Sequence, residues 1–560
     1  MPPVIACPSF NACIQKSIQE NWELNAMSDY GQNTFLYKDV ARIIEKLHII
    51  FEASGVEQGD KVAICGRNSA RWGIAFLATL TYGAVAVPIL HEFHPEQIHD
   101  IVNHSDAKLL FVGDQVWPKL DAEKMPCLEG IFGNSNDEYR ILYARTDKVR
   151  YARENLNRLF GEKYPMNFRK HHISYYKDPP EEMAVLNYTS GTTSNSKGVM
   201  IPYRALWSNV KFADEVYHDH VQKGSNVVSI LPTAHMYGMA FEFLYEMTCG
   251  AHVHFLGKTP SPTVLLKAFS ELKPKVVIAV PLLIEKIVRK AIFPKIKAPA
   301  IRLALMTPLL RDRVKLNIRR KMQKAFGDNF FEIIVGGAAM NHDIEVFLKG
   351  IGFNYTIGYG ATECAPIICY APWNRFKEGS CGKAAPRMEV KIDSSDPQHI
   401  PGEILVRGMN VMLGYYKNEE ATAQTLRDGW YHTGDLGVMD AEGNVFIKGR
   451  SKNMLLGANG QNIYPEEIED KLSSLPYVTE CVIIQKDEQL YGLVYADPDE
   501  VKKGGISHQQ LEEQMELNRL ELNKIVPTYA RVAGIRLMSE EFEKTPKKSI
   551  RRYKYMNYPV

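Results

Sequence analysis

From Lys61 to Asp114 short apolar runs alternate with segments of helical spacing, and that alternation constrains the fold more than any other feature of the chain. KVAICG reads as a buried strand. NSARWGIAFLATLTYGA opens on an N-cap-type pair, Asn68-Ser69, and carries helical spacing as far as a glycine. AVAVPI is a second strand, HPEQIHDIVNHSD a second helix and KLLFVGD a third strand. The stretch before them, YKDVARIIEKLHIIFEASG, has helical apolar spacing and a glycine stop. Strands separated by helices imply parallel sheets covered on both faces. The pattern resumes in SNVVSILP, VVIAVP and FEIIVGGAA, so the expected class is α/β.

The chain has 560 residues, too many for one ordinary core, so two or more domains are expected. From Pro386 the texture changes to short β-like runs with Gly and Asp turns: MEVKID, GEILVRG, then GWYHTGDLGVMDAEGNVFIKGR, in which DAEG reads as a hairpin loop. After Arg450 an α+β pattern follows, from YPEEIEDKLSSL to the long polar helix HQQLEEQMELNRLELNKI. A boundary near Arg450 to Lys452 divides a large domain, 1–450, of parallel sheets flanked by helices plus a β-rich subdomain, from a small α+β domain, 451–560. No internal repeat or low-complexity segment interrupts either part.

Composition narrows the function classes. Hydrophobic residues make up 45% and charged residues 24%, values of a globular chain. Lys and Arg number 67 against 65 Asp and Glu, and a net charge of +2 gives no general attraction to nucleic acid. The nine cysteines are scattered, none in a CxxC pair, and read as free thiols of a reducing compartment. The first residues lack a basic stretch followed by an apolar one, and no apolar run is long enough to span a bilayer. A cytoplasmic protein is expected. One segment, 286–324, is rich in Lys and Arg with Asp312 its only acidic residue. In it Leu310, Val314, Ile318, Met322 and Phe326 recur every four residues, the mark of an amphipathic helix. Its basic face is either a solvated surface or a patch drawn to the anionic inner face of a membrane.

YTSGTTSNSKGVM, Tyr188 to Met200, gathers Thr189, Ser190, Thr192, Thr193, Ser194 and Ser196 around Gly191 and Gly198, with Lys197 near its end. Phosphate oxygens favour many short donors, close backbone approach and a mobile cation, which hydroxyls, glycine amides and a lysine supply. GxxxxGK[ST] does not occur, so this is not a Walker A loop.

The order of residues resembles the phosphate loop of the adenylate-forming superfamily, which holds acyl-CoA synthetases, luciferases and peptide-synthetase adenylation domains. Ser194 stands where the family pattern has a third glycine and Ser196 where it has a proline, while the T-S-G-T-T core and the K-G pair are intact. The resemblance extends over nearly the whole chain. LPTAHMYG is similar to the acyl-site segment, and His235 would line the place where carboxylate and α-phosphate meet. VGGAAM resembles the adenine-contacting strand end, with Gly336, Gly337 and Ala338. In YGATECAP, Tyr359 corresponds to the residue stacked on adenine, Gly360 and Ala361 follow it, Thr362 would bond the α-phosphate and Glu363 would hold Mg²⁺. GWYHTGDLG and IKGRSKNM would supply Asp435 for the ribose hydroxyls, Arg450 for ribose or phosphate, and Lys452 as hinge. NGQNIYPEEIE resembles the border of the pantetheine tunnel, where Gly460 would let a thiol arm pass.

One motif departs from the pattern. The family's adenylation lysine lies in P-x-T-x-x-G-K-I-x-R; aligned on Thr545, Pro546, Ile550 and Arg552, its position is Ser549, with Lys547 and Lys548 just before it. Either the register slips by one and Lys548 acts, or another lysine substitutes; Lys548 is the expected one. The resemblance implies an AMP-forming ligase using ATP, Mg²⁺ and coenzyme A. VPLLIEKIVRKAI and the long basic insert after it resemble long-chain fatty acid–CoA ligases. Two alternatives stand beside that reading: an acyl-AMP ligase that delivers to a carrier protein, and an acyl-nucleotide sensor without turnover.

Overall fold

The computed structural model describes residues 7–134, 139–189, 196–257, 261–296, 303–304, 306–457, 461–545 and 550–559. Its largest sheet runs, edge to edge, Gly414–Tyr415, Gly198–Pro202, Met183–Tyr188, Val85–Leu90, Lys61–Gly66, Ala107–Val112, Gly130–Gly133 and Ile141–Ala144. The five strands from Met183–Tyr188 to Gly130–Gly133 are parallel. Their nearly continuous burial, broken mainly at the first residues, is that of strands covered on both faces. Helix Ala70–Tyr82 is one of the covers. Ser69 caps it by accepting from the Trp72 amide at 3.1 Å, and Gly83, at φ 87°, ends it.

The expected parallel sheet is present, and antiparallel strands extend it. The sheet is mixed at both margins: Met183–Tyr188 and Gly198–Pro202 pair antiparallel, as do Gly414–Tyr415 with Gly198–Pro202 and Gly130–Gly133 with Ile141–Ala144. The stretch joining Met183–Tyr188 to Gly198–Pro202 is too short for a helical crossover, so the chain turns back on itself.

Two smaller sheets adjoin the large one. Asn226–Ser229, His252–Phe255, Asn25–Asp29 and Thr34–Leu36 form the first, and the parallel strands Val276–Ala279, Glu332–Val335 and Tyr355–Ile357 the second. The β-rich region is antiparallel, Met388–Asp393 beside Gly402–Gly408 beside Trp430–Met439, with Val445–Arg450 returning after the DAEG turn. That turn is closed by the Asp440 carboxylate, which accepts from the Glu442 and Asn444 amides.

Beyond it, Glu480–Lys486, Gln489–Tyr495 and Val532–Met538 form a three-stranded sheet. The buried residues from Leu455 onward pack into clusters of their own. Helix His508–Ile525, polar in sequence, buries the stripe Leu511, Met515, Asn518 and Leu522. In the basic segment, helix Pro308–Ala325 buries Met322, and Phe326 just beyond it is buried too; Val314 and Ile318 are half-buried. Leu310, expected on the same face, is exposed, because it lies in the first turn ahead of the packed part. Among the described residues no helix is long and apolar enough to cross a membrane.

Candidate functional site

The antiparallel turn that makes the large sheet mixed also places the phosphate-loop motif. Tyr188 is opposite Gly198 in the ladder, and the Thr189 amide donates to the Lys197 carbonyl at 3.0 Å. A Cβ on Gly198 would lie 3.0 Å from Leu186 Cδ1 and 3.2 Å from Tyr188 Cζ, so this approach favours glycine. Ser190, Gly191, Thr192 and Thr193 lie outside the described residues, as do Gly460 and Lys548.

Strand Gly414–Tyr415 pairs on the outer side of this turn, with Tyr415 opposite Val199 and the Tyr416 amide donating to the Gly198 carbonyl at 2.8 Å. The Tyr415 ring lies 4.7 Å from Lys197 Nζ, and its hydroxyl donates to Glu363 Oε1 at 2.9 Å. Burial pushes the Tyr415 phenol up, so it stays a donor. Glu363 sits in the single turn Thr362–Cys364, and its carbonyl accepts from the Met412 amide at 2.8 Å. The turn closes on itself: the Ala361 amide donates to the Pro366 carbonyl, and a Cβ on Gly360 would come within 2.3 Å of that oxygen. Thr362 is buried.

Glu363 is half-buried, and among the described residues its second oxygen, Oε2, has no hydrogen-bond partner. Those residues also hold no group of three His, Cys, Asp or Glu able to bind a metal unaided. A lone carboxylate with one oxygen to spare fits Mg²⁺, a hard cation that takes one or two carboxylates and completes its shell with phosphate oxygens and water.

A second carboxylate is handled differently. Asp435, in strand Trp430–Met439, is directly opposite Arg450 in the ladder. Arg450 Nε is 2.8 Å from Asp435 Oδ1, and the Tyr359 hydroxyl donates to Oδ2 at 2.6 Å. Asp435 is 6% exposed; burial raises its pKa while Arg450 and Tyr359 oppose the rise. Asp435 in turn holds the Arg450 guanidinium above its ordinary value. The backbone then enters the turn Ser451–Asn453, where burial and the nearby Arg450 lower the Lys452 ammonium.

The acyl-site and glycine-turn motifs meet at one ring. His235 Nδ1 accepts from the Tyr237 amide at 3.3 Å, and the Tyr237 hydroxyl donates to the Ile334 carbonyl at 3.2 Å. A Cβ on Gly336 would lie 3.0 Å from Tyr237 Cζ, so the strand end is seated on that ring. Gly337 follows at φ 84°, and Ala338 is exposed.

Four residues of this site were not singled out for it by the sequence. Asn68 does not cap a helix: it donates to the Leu231 carbonyl at 2.6 Å and accepts from the Thr233 amide at 2.9 Å. Glu242 Oε2 accepts from the Ile230 and Leu231 amides at 3.0 and 2.9 Å, and Asn187 Nδ2 donates to the Ala234 carbonyl at 3.0 Å. Together they brace the loop that carries His235. Glu242 sits in the π turn Ala240–Leu244, and burial drives its carboxyl far above the usual range. An acid in the apolar run MYGMAFEFLYEM, whose only acids are Glu242 and Glu246, is the signal that could have pointed to it. Tyr415, the fourth, lies far from both motifs it touches, and nothing local marks it.

The tail that carries the departed motif is tied down on either side of it. Lys544 pairs with Glu480 and Glu541, Lys544 bridges to Ile550, and Arg552 Nη2 donates to Glu469 Oε2 at 2.6 Å.

With the turn, the metal-type carboxylate and the Asp435–Arg450 pair in place, comparison with known proteins defines the class: the chain belongs to the AMP-binding enzyme family, whose model matches residues 14–416. Among individual relatives it is 28% identical over 469 residues to the long-chain-fatty-acid–CoA ligase FadD15 of Mycobacterium bovis, covering 80% of this chain and 74% of that one. It is 27% identical over 475 residues to the long-chain-fatty-acid–CoA ligase of Bacillus subtilis, covering 82% and 79%. Its fold matches that of the anthranilate CoA ligase AuaEII, solved with anthranoyl-AMP, at a TM-score of 0.75 and 19% identity over 99% and 97% of the two chains.

Proposed function

We propose that this chain is an AMP-forming ligase that activates a long-chain fatty acid with ATP and transfers the acyl group to coenzyme A. The observation that carries the reading is the Lys197–Tyr415–Glu363 arrangement beside the phosphate-loop turn, a cation and a half-partnered carboxylate on a common support. The names of the relatives favour coenzyme A as acceptor and a long-chain acid as substrate.

In this reading the fatty carboxylate attacks the α-phosphorus in line and pyrophosphate leaves. Thr189, Ser190, Gly191, Thr192, Thr193 and Lys197 hold the phosphates, and Thr362 bonds the α-phosphate; such catalysis is mainly positioning and electrostatics. Bound at Glu363, Mg²⁺ would supply positive charge to the triphosphate. Gly336, Gly337, Ala338, Tyr359, Gly360 and Ala361 line the adenosine side, Asp435 and Arg450 take the ribose, and His235 faces the reacting carboxylate. Lys548 drives adenylation. The region after Arg450 then turns about Lys452, and the thiol passes Gly460 to the acyl carbon, releasing AMP. Each buried CH₂ of the acid contributes about 0.8 kcal/mol, so chain length would govern affinity steeply. The test is ATP–pyrophosphate exchange across acids of graded length, with and without coenzyme A. Exchange that peaks below about eight carbons sinks the long-chain assignment, given that per-CH₂ term, and acyl-AMP that accumulates despite coenzyme A sinks the acceptor.

We place the enzyme in the cytoplasm, touching anionic lipid through helix Pro308–Ala325. Arg313, Leu316, Arg320 and Lys324 are exposed there, and Leu303, Met306 and Leu310 are exposed beside them. Cations interspersed with bare apolar side chains suit a lipid interface better than open water. Sedimentation with phosphatidylglycerol vesicles should recover the protein, and the triple variant Arg313→Glu, Arg320→Glu, Lys324→Glu should leave it in the supernatant. Equal recovery on neutral phosphatidylcholine alone counts against this contact.

A further inference from the structure

We infer that Tyr415 is a positioning residue that sets the distance between the magnesium carboxylate Glu363 and the phosphate lysine Lys197; this inference rests on the ligase reading above. The two groups come from motifs far apart in sequence, and each is poorly held by its own segment. Lys197 is exposed and makes no ion pair among the described residues. Glu363 has one oxygen engaged, and the engaging group is the Tyr415 hydroxyl. A metal and an ammonium that grip one triphosphate must keep a fixed spacing, because error in either position weakens both contacts. A single residue touches both, its hydroxyl on the carboxylate and its ring under the ammonium.

Tyr415 is itself held well enough to serve as a reference point. It is 7% exposed. Its backbone is registered on Val199, two residues beyond Lys197, and its amide donates to Thr422 Oγ1 at 2.9 Å. The preceding Gly414, at φ 146°, lets this short strand press against helix Glu419–Thr425: a Cβ there would lie 2.7 Å from Thr422 Cγ2. The same stretch also fixes the Glu363 backbone through the Met412 amide. Hydroxyl and ring therefore act on different partners, and two substitutions separate them. Phenylalanine removes the hold on Glu363 and keeps the ring under Lys197; leucine removes both.

The experiment is calorimetric titration of ATP into the full chain over a range of magnesium concentrations, with thermal melts as a control for folding. Tyr415→Phe should raise the magnesium concentration for half-maximal binding by about fivefold, the worth of one modest hydrogen bond, and leave ATP affinity at saturating magnesium unchanged. Tyr415→Leu should show that shift and also weaken ATP at saturating magnesium, by about threefold for a cation–ring contact. In a Lys197→Met background the two variants should bind ATP alike at saturating magnesium. Unaltered magnesium dependence in Tyr415→Phe overturns the inference, as does identical behaviour of the phenylalanine and leucine variants with Lys197 present. Losses that follow only a lowered melting temperature overturn it too. Failure of the unmodified chain to bind ATP has a different meaning: it removes the ligase reading, and this inference with it.

Discussion

Asp435 and Glu363 are both carboxylates set in turns and strands near the phosphate-loop motif, and the protein treats them in opposite ways. Asp435 is nearly sealed from water, and each of its oxygens has a protein partner, Arg450 on one side and Tyr359 on the other. Glu363 is half-buried, with Tyr415 on one oxygen and no partner among the described residues on the other. Desolvating a charge is tolerable only when its hydrogen bonds are replaced, so the sealed carboxylate has to be completed from within. The open one can keep an oxygen uncommitted because water, or something that displaces water, reaches it. One is locked into the framework at both oxygens; the other is anchored at one oxygen and open at the other.

The sharpest way to break this contrast is to remove each charge without changing shape. Glu363→Gln should lower ATP–pyrophosphate exchange by about a hundred- to a thousandfold, the scale of losing one electrostatic partner of a reacting centre. Its thermal stability should be unchanged. A loss below tenfold, or a marked drop in melting temperature, would put Glu363 in the same category as Asp435. The opposite balance is expected for Asp435→Asn, which should cost about 2 kcal/mol of stability in denaturant unfolding, as for a hydrogen bond to a charged group. Combined with Arg450→Gln, the total should fall short of the sum of the single effects. Strict additivity would mean that the pair is not coupled.

Glu246 carries the same logic to its limit. It is 3% exposed, close to Asp435 in burial, yet among the described residues its Oε2 has no partner, as with Glu363. Burial pushes its pKa up from 4.5 to about 8. The folded form thus binds the proton more tightly than the unfolded chain. Its contribution is fully present below about pH 4.5 and is lost as the pH rises through about 8. Glu246→Gln should flatten the alkaline side of the stability profile by a few degrees in Tm, measured by melts between pH 5 and pH 9. A profile unchanged by this substitution would mean that the acid finds a partner after all.

How far the sequence revealed all this depended on distance along the chain. Periodicity alone was enough for the strands Lys61–Gly66, Val85–Leu90 and Ala107–Val112 and the helices between them, because each element reports its own burial. The pairing of Asp435 with Arg450 was accessible through motif order, and the ladder places them opposite each other. What local reading missed was long-range. Asn68 looked like a cap because its neighbour Ser69 is one, yet its side chain spans 163 positions to the Leu231 carbonyl. Tyr415 is an ordinary strand tyrosine until the fold brings Glu363, 52 positions away, under its hydroxyl. The antiparallel margin of the large sheet followed from a connection whose length was read for its phosphate chemistry and not for its geometry.

The ring of Tyr237 has a consequence for how such a chain can diversify. Tyr237 belongs to the loop bearing His235, and its backbone amide donates to the His235 ring, while its own ring is what the turn bearing Gly336 packs against. A side chain grown at Gly336 would therefore press on the Tyr237 ring, two residues from His235, and a bulkier residue in place of Tyr237 would dislodge the glycine turn.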